Sequence, residues 1–353
     1  MAKLTVSASQ RFVEGFGSHP IFIGVDVHKR SYSVAILRPD GLIHDWTTPA
    51  DPAQLANLIA SLPAHIGAVA HESGPTGFGF ARKLQVLGVP VIVAAPSRIP
   101  RPVAATNKTD SLDCRKLAEY AATGLLRPIA IPSEQEEAAR ALVRRRHQTT
   151  DGLRKVKQRI RGLLLVTGID EPSGIDHWGK ATLDALRKIT MKPEATEVLH
   201  SLLRELEFLS EEQQRLDERI KHHCRRRGEE GRIQTLKAIP GVGPVVAHSF
   251  AAEIFNPHRF QRQEEVTAYL GLAPVVRQSG EKQGKGRLRP VGQKRLRSLL
   301  IEAAWIWKQK DEEARAFYNR ILGRCGVPQK AIAALARKLA VLLWRRSLAA
   351  TAA

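Results

Sequence analysis

The chain has 353 residues, 43% of them hydrophobic, and its 55 lysines and arginines against 35 aspartates and glutamates leave a formal charge of +20. That length suffices for two domains with cores of their own, and the composition excludes a disordered or fibrous chain. Three widely spaced cysteines exclude a disulfide framework, and His222, His223 and Cys224 lack the second ligand pair that a zinc site needs, so a reducing cytoplasm is expected.

The N-terminal stretch 1–20 reads as an extension without an apolar signal core. Ile21 to Val27 is an apolar strand, followed by Ser31 to Leu37 and Leu42 to Thr47 across short polar turns, which predicts a three-stranded antiparallel meander. Then come a helix over Ala53 to Leu62, a strand over Ile66 to Ala70, a helix from about Gly77 to Leu87, a strand over Val89 to Ala94 and a helix beginning near Asp110. The order βββαβαβα is that of an RNase H-like mixed sheet with helices on both faces, where ligands gather at the carboxyl ends of strands. We assign residues 21–130 to this domain.

Residues 131–230 lose all strand signals. Leu199, Leu202, Leu206, Leu209, Gln213, Leu216 and Ile220 form a three-four seam with one polar member, and Leu153, Val156, Ile160 and Leu163 repeat its spacing. Two coiled-coil helices are expected, paired either within one chain or between two. Residues 231–347 form a mostly helical C-terminal domain, interrupted by the turn Ile239-Pro240-Gly241-Val242-Gly243-Pro244 and the loop Pro274 to Pro290; the Ala-rich tail is expected to fray. The apolar run Ala331 to Trp344 is broken by Arg337 and Lys338, so no membrane span is expected.

Four acidic residues, Asp26, Glu72, Asp110 and Asp113, fall where this topology brings strand ends and a helix start to one sheet edge. Asp26 lies between Val25 and Val27, where a charge is costly without a partner or a cation, and Asp110 and Asp113 share a helix face. Such carboxylates suit Mg2+, with Mn2+ as the alternative, for chemistry on a phosphodiester. Taken singly, each has a plainer reading: Asp26 as an edge-strand charge, Glu72 as a helix-start residue, Asp110 as an N-cap and Asp113 as a first-turn charge. Asp40, Asp45 and Asp51 are read as solvated turn residues.

Gly241 and Gly243 belong to a turn like that of a helix-hairpin-helix, where glycines let backbone amides approach phosphates. Ser279 lies among Arg277, Lys282, Lys285, Arg287, Arg289, Lys294, Arg295 and Arg297. By itself it reads as a polar residue beside a phosphate-binding patch, since no nearby histidine would activate it.

The segments IGVDVHKRSYSVAIL, HESGPTGFGFARKL, KTDSLDCRKLAEY, IPGVGPVVA, AYLGLAPVVRQSGEKQGKGRL and AALARKLAVLL, in this order, resemble the DEDD transposases of bacterial insertion sequences. These have a RuvC-like N-terminal domain and a serine-bearing C-terminal transposase domain and act as bridge-RNA-guided recombinases. The resemblance implies that Asp26, Glu72, Asp110 and Asp113 are the metal-binding tetrad and Ser279 the nucleophile. It also implies a structured noncoding guide RNA, donor and target DNA as substrates, and a cytoplasmic, nucleoid-associated homo-oligomer, a dimer that becomes a tetramer in the synaptic complex. Gln293 stands where the family's Lys-x-Gly-Asn element has asparagine. Two rivals follow from the residues: a Holliday-junction resolvase or RNase H-like nuclease that uses water, and a non-catalytic nucleic-acid-binding protein.

The charge alone makes a prediction. Affinity for duplex DNA should fall by about a thousand-fold between 50 and 200 mM salt if at least six phosphates are contacted, as a filter-binding titration reads; a flat response would remove the electrostatic argument.

Overall fold

A computed structural model describes the backbone of residues 2–16, 19–100, 110–275, 278–279, 282–283, 287–288 and 292–352; the side chains of 2–7, 110–112, 275, 278–279, 282–283, 287 and 352 are outside the description. The chain divides into two compact units, Met1–Ser133 and Glu134–Ala353.

The first unit runs α1 (Ala2–Val13), β1 (Ile21–Val27), β2 (Ser31–Leu37), β3 (Ile43–Pro49), α2 (Pro52–Ala60), β4 (Ile66–Glu72), α3 (Gly79–Val86), β5 (Val91–Ala94) and α4 (Asp110–Ala122). Its sheet has the order β3-β2-β1-β4-β5, antiparallel from β3 to β1 and parallel from β1 to β5. This is the RNase H-like arrangement. Alternation along β1 sorts the two faces. Ile21, Ile23 and Val25 are fully buried in a core with Leu55, Ala56 and Ile59 of α2 and Phe80 and Leu84 of α3. Phe22 packs on the opposite face with Leu117 and Ala121 of α4.

Gly24 sets the distance between α4 and the sheet. A Cβ built there would lie 1.9 Å from the Cys114 carbonyl oxygen and 2.7 Å from the Ala118 amide nitrogen. Helix α2 starts on Pro52 after an Asp51 cap whose Oδ1 accepts from the Ala53 and Gln54 amides at 2.9 and 3.0 Å. Beyond α4 the chain returns along β5, where the Ile129 amide donates to the Val93 carbonyl.

Four expectations are corrected. β1 is central in the sheet, so the edge-strand reading of Asp26 fails. Glu72 ends β4 and begins no helix. Asp45 lies within β3 and pairs with Arg115 of α4 at 2.5 Å, so it is a clamp and not a solvated turn residue. The N-terminal stretch, expected as an extension, folds onto the sheet unit: Val13 is fully buried, and the Phe12 ring lies tilted, 5.3 Å from the His44 ring.

The second unit opens with α5 (Glu134–Thr167), α6 (Lys180–Arg187) and α7 (Pro193–Arg226). α5 and α7 pack on each other within the chain as an antiparallel hairpin. Its buried seam is Leu153, Val156, Ile160 and Leu164 against Leu199, Leu203 and Leu206. The polar seam member Gln213 donates to Thr150 Oγ1 at 2.7 Å, and Arg146 pairs with Asp217 at 3.0 Å one turn away. Part-buried polar pairs of this kind favour one register, because a slip would leave each group unmatched.

The remaining elements are α8 (Glu230–Lys237), α9 (Pro244–Ile254), α10 (Gln263–Tyr269), β6 (Pro274–Val275), β7 (Gln278–Ser279), β8 (Lys282–Gln283), β9 (Arg287–Leu288), α11 (Lys294–Lys310), α12 (Glu312–Cys325) and α13 (Pro328–Ala352). One core gathers Phe250 of α9, Leu300 and Trp307 of α11 and Leu335, Leu339 and Leu343 of α13. The Ala-rich tail continues α13 as helix to Ala352, and Thr351 Oγ1 lies 3.0 Å from His258 Nε2. As far as Ala352 the tail is helix, where fraying was expected.

Gly24→Ala should lower stability by about 3 kcal/mol, read as a urea midpoint shift, because the new methyl meets backbone that cannot give way. Gly79→Ala, with nothing within 4 Å of its Cβ position, serves as the neutral control.

Candidate active site

Asp26 and Glu72 each stand one residue beyond the last registered pair of β1 and β4, Val25 with His71. These strands are parallel, so both carboxylates fall at the same carboxyl edge. By alternation Asp26 shares the Gly24 side of the sheet and Glu72 the Ala70 side, the face that α4 covers. Gly24 touches Cys114 and Ala118, and Phe22 packs with Leu117 and Ala121, so α4 runs with its N-terminus toward the Asp26 end. Asp113 therefore joins that edge. Asp110 is the first residue of α4, with its side chain outside the described residues.

The Asp26 side chain is 20% exposed, and its Oδ2 lies 3.1 Å from His28 Nε2. Glu72 is exposed and Asp113 half-buried. Among the described residues no three His, Cys, Asp or Glu side chains lie close enough to hold a metal ion. The donor set is nonetheless one of carboxylates, the hard oxygen ligands that magnesium takes. The negative charge is felt inside: burial, then Asp45 and then Asp26, push the Cys114 thiol up to about 11. His28, just beyond the end of β1, was not singled out from the sequence; its one signal is its place two positions after Asp26.

In the second unit, Ser279 is the last residue of β7 and pairs in register with Lys282 of β8. Its side chain and those of Lys282 and Arg287 are outside the described residues, as are Arg277, Lys285 and Arg289 altogether. Pro274 of β6 pairs with Leu288 of β9, and the Leu272 amide donates to the Thr267 carbonyl at 2.8 Å. On the return, the Gln293 amide donates to the Tyr269 carbonyl at 3.1 Å, and Gln293 Nε2 donates to the Tyr269 hydroxyl at 3.4 Å. Gly292 has φ +88° and a Cβ there would lie 2.6 Å from the Gly271 nitrogen, so only glycine closes the stem. Arg297 donates to the Gly271 carbonyl at 3.3 Å, whereas Lys294 and Arg295 are exposed.

Tyr269 ties the stem inward. Its hydroxyl donates to the Glu253 carbonyl at 3.1 Å, and the Glu253 carboxylate, 6% exposed, receives Arg144 Nε at 2.7 Å and Nη2 at 2.9 Å. Arg140 adds a second cation at 3.4 Å. Sequence reading missed Tyr269, Glu253 and Arg144, because their link spans more than a hundred positions and carries no local pattern.

The two turn glycines differ in use. Gly241, at φ +86°, has the backbone of Ala303 and Trp307 in α11 within 2.5 and 2.9 Å of its Cβ position, so packing demands it. Gly243 faces open space and precedes α9, which begins on Pro244 without a side-chain cap.

Comparison with known proteins adds independent findings. Residues 23–169 match the IS110-type DEDD transposase family, and residues 233–319 match the family described as Transposase IS116/IS110/IS902. The chain is 30% identical to a Sinorhizobium fredii (strain NBRC 101917 / NGR234) protein named as transposase y4qE, over 81% of this chain and 72% of that one. It is 26% identical to the transposase for insertion sequence element IS1111A of Coxiella burnetii, over 91% and 88%. Among solved structures, T. thermophilus RuvC in complex with a Holliday junction substrate superposes with a TM-score of 0.25 at 14% identity, covering 31% of this chain and all of that one.

The cysteines offer a check on the site's packing. Cys114 and Cys224, both buried with thiols pushed up to about 11, should resist alkylation at pH 8 in the native protein, while the half-buried Cys325 reacts. Mass spectrometry of the labelled peptides reads this, and prompt labelling of Cys114 would show that α4 does not stay on β1.

Proposed function

This chain belongs to the IS116/IS110/IS902 family of transposases, and on that premise we propose that it cuts and rejoins donor and target DNA strands with a divalent metal at Asp26, Glu72, Asp110 and Asp113 and with Ser279 as nucleophile. The observation that supports this most is the placement of Asp26 and Glu72 at the ends of adjacent parallel strands, on the face to which α4 brings Asp113. Magnesium, or manganese in its place, would supply Lewis-acid polarisation of phosphoryl oxygens there.

The chain's own residues carry the rest. The Ser279 hydroxyl replaces one bridging oxygen of the phosphodiester, leaving a phosphoserine and a free strand end; the hydroxyl of a second strand then displaces the serine. Nothing in this exchange needs an external energy source, since one phosphoester replaces another. The pinned stem at Tyr269, Gly292 and Gln293 gives the serine loop a rigid base, and rigid support is what a nucleophile requires for in-line attack. Lys294 and Arg295 stand in the first turn of α11, where no acidic residue offsets them. Cations there oppose the helix dipole, and a bound phosphate relieves the conflict. Gly243, at the uncapped start of α9, is a second place for backbone amides to meet phosphate.

We assign the choice of sequence to a structured noncoding guide RNA that pairs with donor and target, and the composite site to dimers joined as a tetramer. Residues 21–130 form the catalytic domain, 131–230 the coiled-coil region and 231–347 the serine-bearing domain. A bacterial cytoplasm, with association to the nucleoid through DNA, fits the net charge of +20. No helix among the described residues is long and apolar enough to cross a membrane.

The test uses purified protein, Mg2+, labelled donor and target DNA, and RNA transcribed from the flanks of its gene. A protein-linked strand should form in wild type and be absent in Ser279→Ala, and both Ser279→Ala and Asp26→Asn should lower strand transfer by about a thousand-fold or more. Free nicks from Ser279→Ala at the wild-type rate would identify a water-using nuclease. Full processing by Asp26→Asn would leave the acidic edge a structural feature.

A further inference from the structure

The α5–α7 hairpin carries a groove that neither the acidic edge nor the serine loop uses. Its volume is about 430 Å3, within the roughly 300 to 1,000 Å3 usual for ligand clefts. Thr150, Arg154, Lys157, Gln158, Trp178 and Gln213 line it. Trp178 stands at φ 51°, a left-handed conformation that bulky residues rarely adopt and that tends to mark functional positions.

The charges are arranged unevenly. On one side, Arg161 is already neutralised by Asp176 at 2.5 Å and Glu171 at 3.4 Å. On the other, the Lys157 ammonium lies 5.3 Å from the Trp178 ring centroid, partly buried, and burial is the one influence that lowers its pKa. No carboxylate among the described residues compensates it. Arg154 has only Asp151, at 3.7 Å, on an exposed face. The floor is satisfied, since Gln213 donates to Thr150 Oγ1. One cation without a carboxylate, Lys157, and one with a single long and exposed ion pair, Arg154, thus stand beside an indole held in an uncommon backbone conformation.

Packing explains part of this, because Trp178 also borders the apolar core of the hairpin. It does not explain a desolvated lysine without a counter-ion. We propose that this groove holds one unpaired nucleotide of a single-stranded segment, its base stacked on Trp178 and its phosphate between Lys157 and Arg154. Every base has a π face that an aromatic ring accepts, whereas a duplex presents its base faces only to one another. Entry of the base moves the Lys157 ammonium from the ring toward the phosphate, and the ion pair so formed offsets its desolvation. The inference rests on nucleic-acid binding by this chain and is independent of the serine chemistry.

The experiment uses the full chain with 12-mers of uridine and of thymidine, each carrying one 4-thio base, and a duplex of equal length. Irradiation should give an adduct that maps to Trp178 or to the adjoining face of α5, and whichever strand crosslinks identifies the source as RNA or DNA. Trp178→Leu should weaken single-strand binding by roughly tenfold and leave duplex binding unchanged, and Trp178→Tyr should restore it. Lys157→Gln, which leaves the apolar packing in place, should lower single-strand affinity and reduce the salt slope by about 1. Adducts confined to other regions, or single-strand binding by both Trp178→Leu and Lys157→Gln equal to wild type, would overturn the assignment. Absence of any adduct, together with no retardation of either strand, would overturn the nucleic-acid reading beneath it.

Discussion

Helix α4 lies so close to β1 that the Cys114 carbonyl occupies the space a side chain at Gly24 would fill, and the arrangement of the acidic edge depends on that contact. A helix at ordinary distance from the sheet would hold its first turn away from the strand ends. With glycine at this one point, α4 settles onto the sheet along Phe22, Leu117 and Ala121, and Asp113 in its first turns comes to the edge where Asp26 and Glu72 already stand. Arg115 then pins the helix laterally through Asp45. Backbone proximity sets the position, and charge holds it.

Gathering carboxylates in this way works against folding, since like charges at one edge repel and a half-buried Asp26 is desolvated. Two features of the chain temper the conflict. His28 lies beside Asp26, and the rest of the molecule is strongly basic, so the field of the whole favours anions wherever they sit. A divalent cation is the natural complement, and so is a polyanion whose phosphates the basic surface attracts. Transposases act on such a polyanion, and a local acidic edge within a strongly basic chain is compatible with that substrate.

The second unit solves a different problem, that of supporting the long basic loop that carries Ser279. Its solution is a chain of polar contacts, centred on the buried Glu253, from Arg140 and Arg144 to Tyr269 and Gln293. Removing Arg144 or Arg140 would leave the buried Glu253 carboxylate short of a partner, so each member constrains the others. The hairpin is likewise specified by polar pairs, Gln213 with Thr150 and Arg146 with Asp217, more than by its leucines, which would tolerate a slipped register.

What could be read from the residues alone was whatever is encoded over a few neighbouring positions. The period of two in Ile21 to Val27, the three-four spacing of Leu199 to Ile220, the punctuation of Pro39-Asp40-Gly41 and the family motifs around Asp26, Glu72 and Asp113 determined the elements, their order and the acidic edge. Long-range choices were not so encoded. That α5 and α7 close on each other in one chain, that the first helix joins the core through Val13, that Asp45 clamps α4, and that Tyr269 holds the serine loop to Glu253 were decided only by tertiary structure. The physical reason is the same in each case. A hydrophobic period states which face of an element is buried but not which partner buries it, and a polar side chain's partner is set by where the folded backbone brings a complementary group within about 3 Å.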